Sequence, residues 1–266
     1  MEDIQNHTYY TKPPPYPVGN YDVDINPELG RGSYGVALYA QHNLTKQRCV
    51  VKKIDFTSDT MRSGKMQGVA ETEWTILRSL QHKNIVKYLD VVRYSTVVWI
   101  FLEFCNLGNL KEYIMKRKNL HIQSKLDIKL QCAEALEYLH SKNITHRAIK
   151  LENYLVTKSQ EKDVVKLTDF GLSKMLEGNS SELSMTKNRG TMLYRSPEQF
   201  RGDRYSKKVD IFGLGLVFLV IFDYGQNCTF TIPLSGNYFI VLKIIPYLVE
   251  QIQNLVNCRQ FDTNTY

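Results

Sequence analysis

The chain of 266 residues is 43% hydrophobic and 23% charged, which suits one large domain or two lobes and excludes a disordered or fibrous chain. Its net charge of +7 arises from 34 basic and 27 acidic residues with no dense Lys/Arg run, which argues against nucleic-acid binding and suits phosphate ligands or acidic partners. The five cysteines (Cys49, Cys105, Cys132, Cys228, Cys258) are widely spaced with no C-x-x-C pair, which speaks against a zinc site or disulfide framework and for a cytoplasmic or nuclear setting.

Residues 1–20 read as a flexible, polar leader without a secretory signal. Within it, Pro13-Pro14-Pro15-Tyr16 matches the Pro-Pro-x-Tyr pattern of WW-domain ligands, although for so short a motif a plain extended leader is the better account. From Tyr21 to Leu102, strand-like runs at Val36–Ala40, Cys49–Ile54, Val86–Val92 and Val97–Leu102 alternate with turns. One amphipathic helix interrupts them at Gly68–Leu80, with Val69, Ile76, Leu77 and Leu80 as its stripe. Phe104–Asn109 is turn-rich. Helices dominate beyond it, and Ser124–Ser141 places Leu126, Leu130, Ala133, Leu136 and Leu139 at helical spacing. The apolar run Ile211–Phe222 is shorter than the roughly 20 residues that cross a bilayer, so it predicts a buried helix and no membrane span.

Gly30-Arg31-Gly32-Ser33-Tyr34-Gly35 is a G-x-G-x-x-G loop. A dinucleotide-binding turn would open a helix. A strand follows instead, so the loop belongs to a hairpin whose backbone N–H groups can close over phosphates. Lys52 lies on the next strand, and Glu73 on the predicted helix is the carboxylate suited to hold it. Asp169, in Lys166-Leu167-Thr168-Asp169-Phe170-Gly171, and Asn153 offer oxygen ligands of the kind Mg²⁺ takes together with phosphates. Asn153 closes His146-Arg147-Ala148-Ile149-Lys150-Leu151-Glu152-Asn153. Gly190–Glu198 and Val209-Asp210-Ile211-Phe212-Gly213 complete the series.

On these five motifs the chain resembles the eukaryotic protein kinase family over about Tyr21–Phe222. The resemblance implies an α+β bilobal fold: a β-rich N-lobe with one helix over 21–102, a hinge over 103–108 and a mostly helical C-lobe over 109–266. It implies ATP and Mg²⁺ as cofactors. Leu29, Gly30, Gly32, Ser33 and Gly35 would cover the phosphates. Ala37, Val50 and Leu155 would enclose adenine, with Leu102 as gatekeeper and Glu103, Phe104 and Cys105 as hinge. Lys52 would contact the α/β-phosphates and pair with Glu73, while Asn153 and Asp169 would hold Mg²⁺. Leu77, Tyr88, His146 and Phe170 would stack as a regulatory spine, and Asp210 would anchor the catalytic loop. Lys150 and Thr191 resemble the serine/threonine subclass.

Three departures from the family pattern qualify this likeness. Ala148 stands where the family carries the Asp that orients the acceptor hydroxyl and takes its proton. Ala37 and Val50 exchange the family's bulk around adenine, roughly conserving volume. After Phe222 the pattern fades, with Cys228-Thr229-Phe230 at an altered turn and Arg259 the only match for the arginine that pairs with Glu198. Between Asp169 and Glu198, Ser173, Ser180, Ser181, Ser184 and Thr186 are candidate phosphosites, a phosphate on Ser184 or Thr186 being able to meet Arg147.

Three readings follow. The first is an ATP-binding pseudokinase that acts on a signalling partner as scaffold or allosteric effector. The second is a serine/threonine kinase that phosphorylates a protein substrate, active or disarmed by substitution at 148. The third is an interaction module that binds no nucleotide.

Overall fold

A computed structural model describes residues 15–32, 35–56, 64–94, 96–117, 119–175, 194–201 and 205–223. Ser33, Thr191, Pro13, Pro14, the phosphosites from Ser180 to Thr186 and everything after Asp223 lie outside the described residues. The described residues fall into two compact units. The first is drawn from Met1–Met66 and Leu89–Phe104, the second from Gln67–Tyr88 and Cys105–Tyr266.

The first unit is an antiparallel sheet. Its strands are β1 (Tyr16–Val18), β2 (Tyr21–Asp24), β3 (Gly30–Gly32), β4 (Gly35–His42) and β5 (Arg48–Asp55), with β6 (Tyr88–Arg93) and β7 (Val97–Glu103) following helix α1 (Gly64–Ser79) in the chain. The spatial order is β1-β2-β4-β5-β7-β6, and β3 pairs with β4. Alternation along the strands sorts the side chains onto two faces. Leu38 and Ala40 from β4, Cys49 and Val51 from β5, and Trp99 and Phe101 from β7 are all buried in one apolar cluster with Val18, Tyr21 and Val23. Tyr21 stacks on Phe101 at 3.8 Å between ring centroids.

The flexible leader expected over 1–20 is corrected at residues 16–18, which form a strand. Tyr16 pairs with Val23 and Val18 with Tyr21, so β1 is part of the sheet. The reason is local: Val18 is fully buried in the cluster, and Tyr16 stacks on Trp99 at 6.2 Å. The proline cluster masked this signal.

In the second unit, α2 (Leu110–Lys116), α3 (Ile122–Ser141), α4 (Pro197–Arg201) and α5 (Lys208–Asp223) accompany the short strands β8 (Ile144–Thr145), β9 (Tyr154–Ser159), β10 (Lys162–Leu167) and β11 (Lys174–Met175). Helix α1, expected within the N-lobe, groups here from Gln67 onward. The chain that follows it is tied to α3 and β10. Gln81 N donates to the Tyr138 hydroxyl at 2.9 Å, Leu167 N to Asn84 O at 2.8 Å and Val86 N to Leu167 O at 3.0 Å. This pairing also holds Ile85 and Val86 outside the strand predicted to start at Val86, and β6 begins at Tyr88.

The buried stripe of α3 differs from the predicted one. Ile128, Cys132, Ala135, Leu136 and Leu139 form it, whereas Leu126 and Leu130 are 49% and 45% exposed. Two leucines at helical spacing marked the wrong face because β10 and α5 pack against the face carrying Cys132. Helix α5 is the buried apolar helix foreseen, and no described helix is long and apolar enough to cross a membrane.

Candidate functional site

The first unit gathers its candidate residues by register. Ala37 lies opposite Lys52, Val50 opposite Leu102, and Lys52 opposite Ile100. Strand alternation then places Ala37, Val50, Lys52 and Leu102 on the sheet face opposite the one carrying Leu38, Val51 and Phe101. Ala37 and Val50 are diagonal neighbours on it, close enough for the small residue and the large one to share a space. Glu103 pairs with Cys49, and the Phe104 ring meets Tyr39 edge-on at 5.4 Å. Leu29 is half exposed and its N–H donates to Ala37 O at 2.9 Å.

The three glycines of the loop differ in what the fold asks of them. A Cβ on Gly35 would collide with the carbonyl oxygen of Lys53, so packing alone demands glycine there. A Cβ on Gly30 would meet nothing within 4 Å, and one on Gly32 would touch only Gly35 O at 3.8 Å.

In the second unit, α5 builds the catalytic-type loop from beneath. Asp210, 1% exposed, accepts the backbone N–H of His146 at 2.8 Å and of Arg147 at 2.7 Å, and lies 3.0 Å from His140 Nε2. Three residues on, a Cβ at Gly213 would come within 2.9 Å of Ile149 O, so glycine lets the helix axis approach the loop backbone. With its backbone held there, Arg147 sits at φ 69°, in the left-handed region. The loop closes on itself: Asn153 Nδ2 donates to Ala148 O at 2.7 Å, and Asn153 O accepts from Thr168 N at 2.9 Å. That last bond ties the loop to the segment carrying Asp169, which also adopts the left-handed conformation (φ 65°, ψ 67°).

Ala148 and Lys150 are half-buried on the same loop. Glu152, the nearest carboxylate in sequence, lies 2.9 Å from Lys111 Nζ. Burial pushes its carboxyl up, but the Lys111 hydrogen bond and the charges of Lys111 and Lys150 outweigh this and hold it below the usual range. Glu73 is buried, Cys105 is buried at the start of the second unit, and Leu155 bridges Asn109 across β9. Of the expected spine, His146 and Phe170 meet edge-on at 5.0 Å, Leu77 is buried and Tyr88 half-buried.

Residues 23–229 match the family described as Protein kinase domain. The chain belongs to the protein kinase family. Its α+β, two-part architecture is that of the kinase domain. Among curated proteins it is 32% identical to the interferon-induced, double-stranded RNA-activated protein kinase of Mus musculus, over 74% of this chain and 39% of that protein. It is 31% identical to serine/threonine-protein kinase 33 of Mus musculus, over 73% of this chain and 40% of that one. It is 32% identical to the SNF-related serine/threonine-protein kinase of Homo sapiens, over 76% of this chain and 26% of that one. The chain thus spans less than half the length of these kinases.

Within this kinase domain, several supports of the loop escaped the sequence reading. Gln131 is one: its Oε1 accepts Val165 N at 2.8 Å and Asn84 Nδ2 at 3.1 Å, joining α3, β10 and the connection after α1. Polar residues at half-buried helix positions give no periodic signal, so only the fold reveals them. His140, which lies 3.0 Å from Asp210, is a similar case.

His146 carries a pH dependence of its own. Its Nε2 faces Thr168 O at 3.0 Å and so bears the proton, which leaves Nδ1 buried without a partner. Burial lowers its pKa despite the opposing pull of Asp210 and Asp169. The unfolded chain therefore binds the proton first as pH falls. The stability contributed by neutral His146 is complete above about pH 6.5 and declines below it. Urea unfolding at pH 7.5 and pH 5.5 should show a smaller acid loss in His146→Phe than in the parent chain.

Proposed function

We propose that this chain is an ATP- and Mg²⁺-binding protein kinase domain of serine/threonine type whose phosphotransfer to protein hydroxyls is lost or strongly weakened at Ala148. It then acts in signalling as a scaffold or allosteric partner. The observation that carries this reading is the intact loop around a missing carboxylate. Asp210, Gly213 and Asn153 hold the backbone of residues 146–153 in place, while residue 148 offers only a methyl group.

The residues present fit the two cofactors. Neither backbone conformation nor packing among the described residues asks for glycine at 30 or 32, which favours a ligand approaching the main chain there. Lys52 supplies a cation on the same sheet face as Ala37, Val50 and Leu102. Asn153 uses its amide nitrogen on Ala148 O, which leaves its side-chain oxygen as the atom to offer Mg²⁺, and Asp169 supplies an anionic oxygen. Bound ATP would supply the transferable phosphoryl group. Lys150, next to the acceptor position, would lend it positive charge.

Mg·ATP should raise the melting temperature of the parent chain, and Lys52→Met should lose most of that shift. Equal curves with and without nucleotide in the parent chain would favour an interaction module that binds no nucleotide. That reading is the weaker one, because a pure interaction module has no use for glycines at 30 and 32.

A further inference from the structure

The connection after α1 is fastened to α3 through one tyrosine. The Gln81 N–H donates to the Tyr138 hydroxyl at 2.9 Å, and the His82 ring stacks on the Tyr138 ring with centroids 4.8 Å apart and planes 16° apart. His82 also organises its own turn. Its Nδ1 accepts the Asn84 N–H at 3.1 Å, and its carbonyl oxygen accepts the Ile85 N–H at 3.1 Å. Within this turn the Asn84 side chain is buried, and its Nδ2 donates to Val165 O at 2.8 Å and to Gln131 Oε1 at 3.1 Å. All of these residues belong to the second unit.

An imidazole that accepts at Nδ1 carries its proton on Nε2 and is neutral. A second proton would occupy Nδ1 and turn an acceptor into a donor facing another donor, the Asn84 N–H. His82 is half-buried, so protons reach it from solvent. The charged groups around it are Lys83 on its own segment, Glu134 and Glu137 on α3, and Lys166 on β10. Lys83 Nζ lies 2.9 Å from Glu134 Oε2, and Lys166 Nζ donates to Lys83 O at 3.0 Å. An imidazolium would gain attraction from the Tyr138 ring, but Lys142 Nζ already stands over that ring, 5.9 Å from its centroid. Burial and the two lysines outweigh the two glutamates and hold the imidazole below its ordinary value.

We infer that His82 is a pH-operated latch: neutral, it fastens the turn after α1 to α3, and protonated, it releases that turn. The open turn takes up the proton before the closed one. The latch is therefore complete above about pH 6.5 and weakens as the pH falls below it. The helix at whose end it sits carries the buried Glu73, so acid loosens the seat of a candidate site residue.

The test is residue-resolved amide hydrogen exchange of the full chain at pH 7.5 and pH 5.5, corrected for the intrinsic pH dependence of exchange. Protection at the Gln81 and Asn84 amides should fall about fivefold more than at Leu214 and Val217 of α5, the equivalent of one net hydrogen bond. Equal losses at all four amides would assign the effect to global unfolding and overturn the latch. His82→Asn keeps a side-chain acceptor two residues before Asn84 and does not titrate. Its Gln81 and Asn84 amides should lose no more protection than the α5 pair, and persistence of the extra loss in this variant would overturn the assignment to His82.

A second measurement needs no variant. The ring-proton resonances of His82, followed by NMR across the same range, should titrate with a midpoint below 6.5. A midpoint at or above 6.5 would mean that the closed turn welcomes the proton, and the latch would be excluded.

Discussion

Ala148→Asp is expected to raise phosphotransfer from labelled ATP to a generic basic protein by about 10²- to 10⁴-fold, the range of a positioned general base. The argument is structural. Residue 148 holds its place through main-chain atoms, since Asn153 Nδ2 bonds its carbonyl oxygen and the flanking backbone is pinned to Asp210. A new carboxylate therefore enters a loop already in shape, on a stretch that also carries Arg147 and Lys150. Charge there is favoured, so the added Asp should stay ionised. Lys52→Met in the same background should return activity to baseline. If Ala148→Asp stays at the parent's level, the cause lies elsewhere, in the Ala37–Val50 exchange or in the region after Phe222.

Asp210→Ala is expected to cost the most stability of any single change in the loop, on the order of 3–5 kcal/mol. It strips the acceptor from two backbone N–H groups and from His140 in a site that excludes water. Replacing it with an apolar side chain gives none of these donors a substitute. Asp210→Asn keeps one carbonyl acceptor and should lose roughly half as much. Urea unfolding reads both effects. The double variant Ala148→Asp/Asp210→Ala should be inactive even where it is folded, because the carboxylate would then stand on a loop that is no longer held. Activity in that double variant would show that α5 does not position the loop.

The motifs were legible because they combine rare residue types at fixed separations. The glycine loop before a strand, Lys52, His146–Asn153 and Asp169-Phe170-Gly171 all declare themselves in the chain. The strands were legible because β4 and β5 alternate through Leu38, Ala40, Cys49 and Val51, and because β7 is a short continuous apolar run. Asp210 was read through the family likeness, and the structure shows what it holds. The failures share a cause, which is that burial depends on what packs against a face. Leu126 and Leu130 have the spacing of a core stripe and lie in the open, while Gln131 and Asn84 carry a buried network. Tyr16 and Val18 sit inside a proline cluster, and their strand depends on Trp99 and Val23, far along the chain or across a turn.

The way α5 grips residues 146–149 has a genetic consequence. Asp210 and Asn153 bond main-chain atoms of the loop and Gly213 packs against Ile149, so none of these contacts reaches the side chain at 148. Half of the alanine codons differ from an aspartate codon by a single base. On the proposed reading of Ala148, a single base change at that codon separates a catalyst from a non-catalyst and leaves these contacts in place.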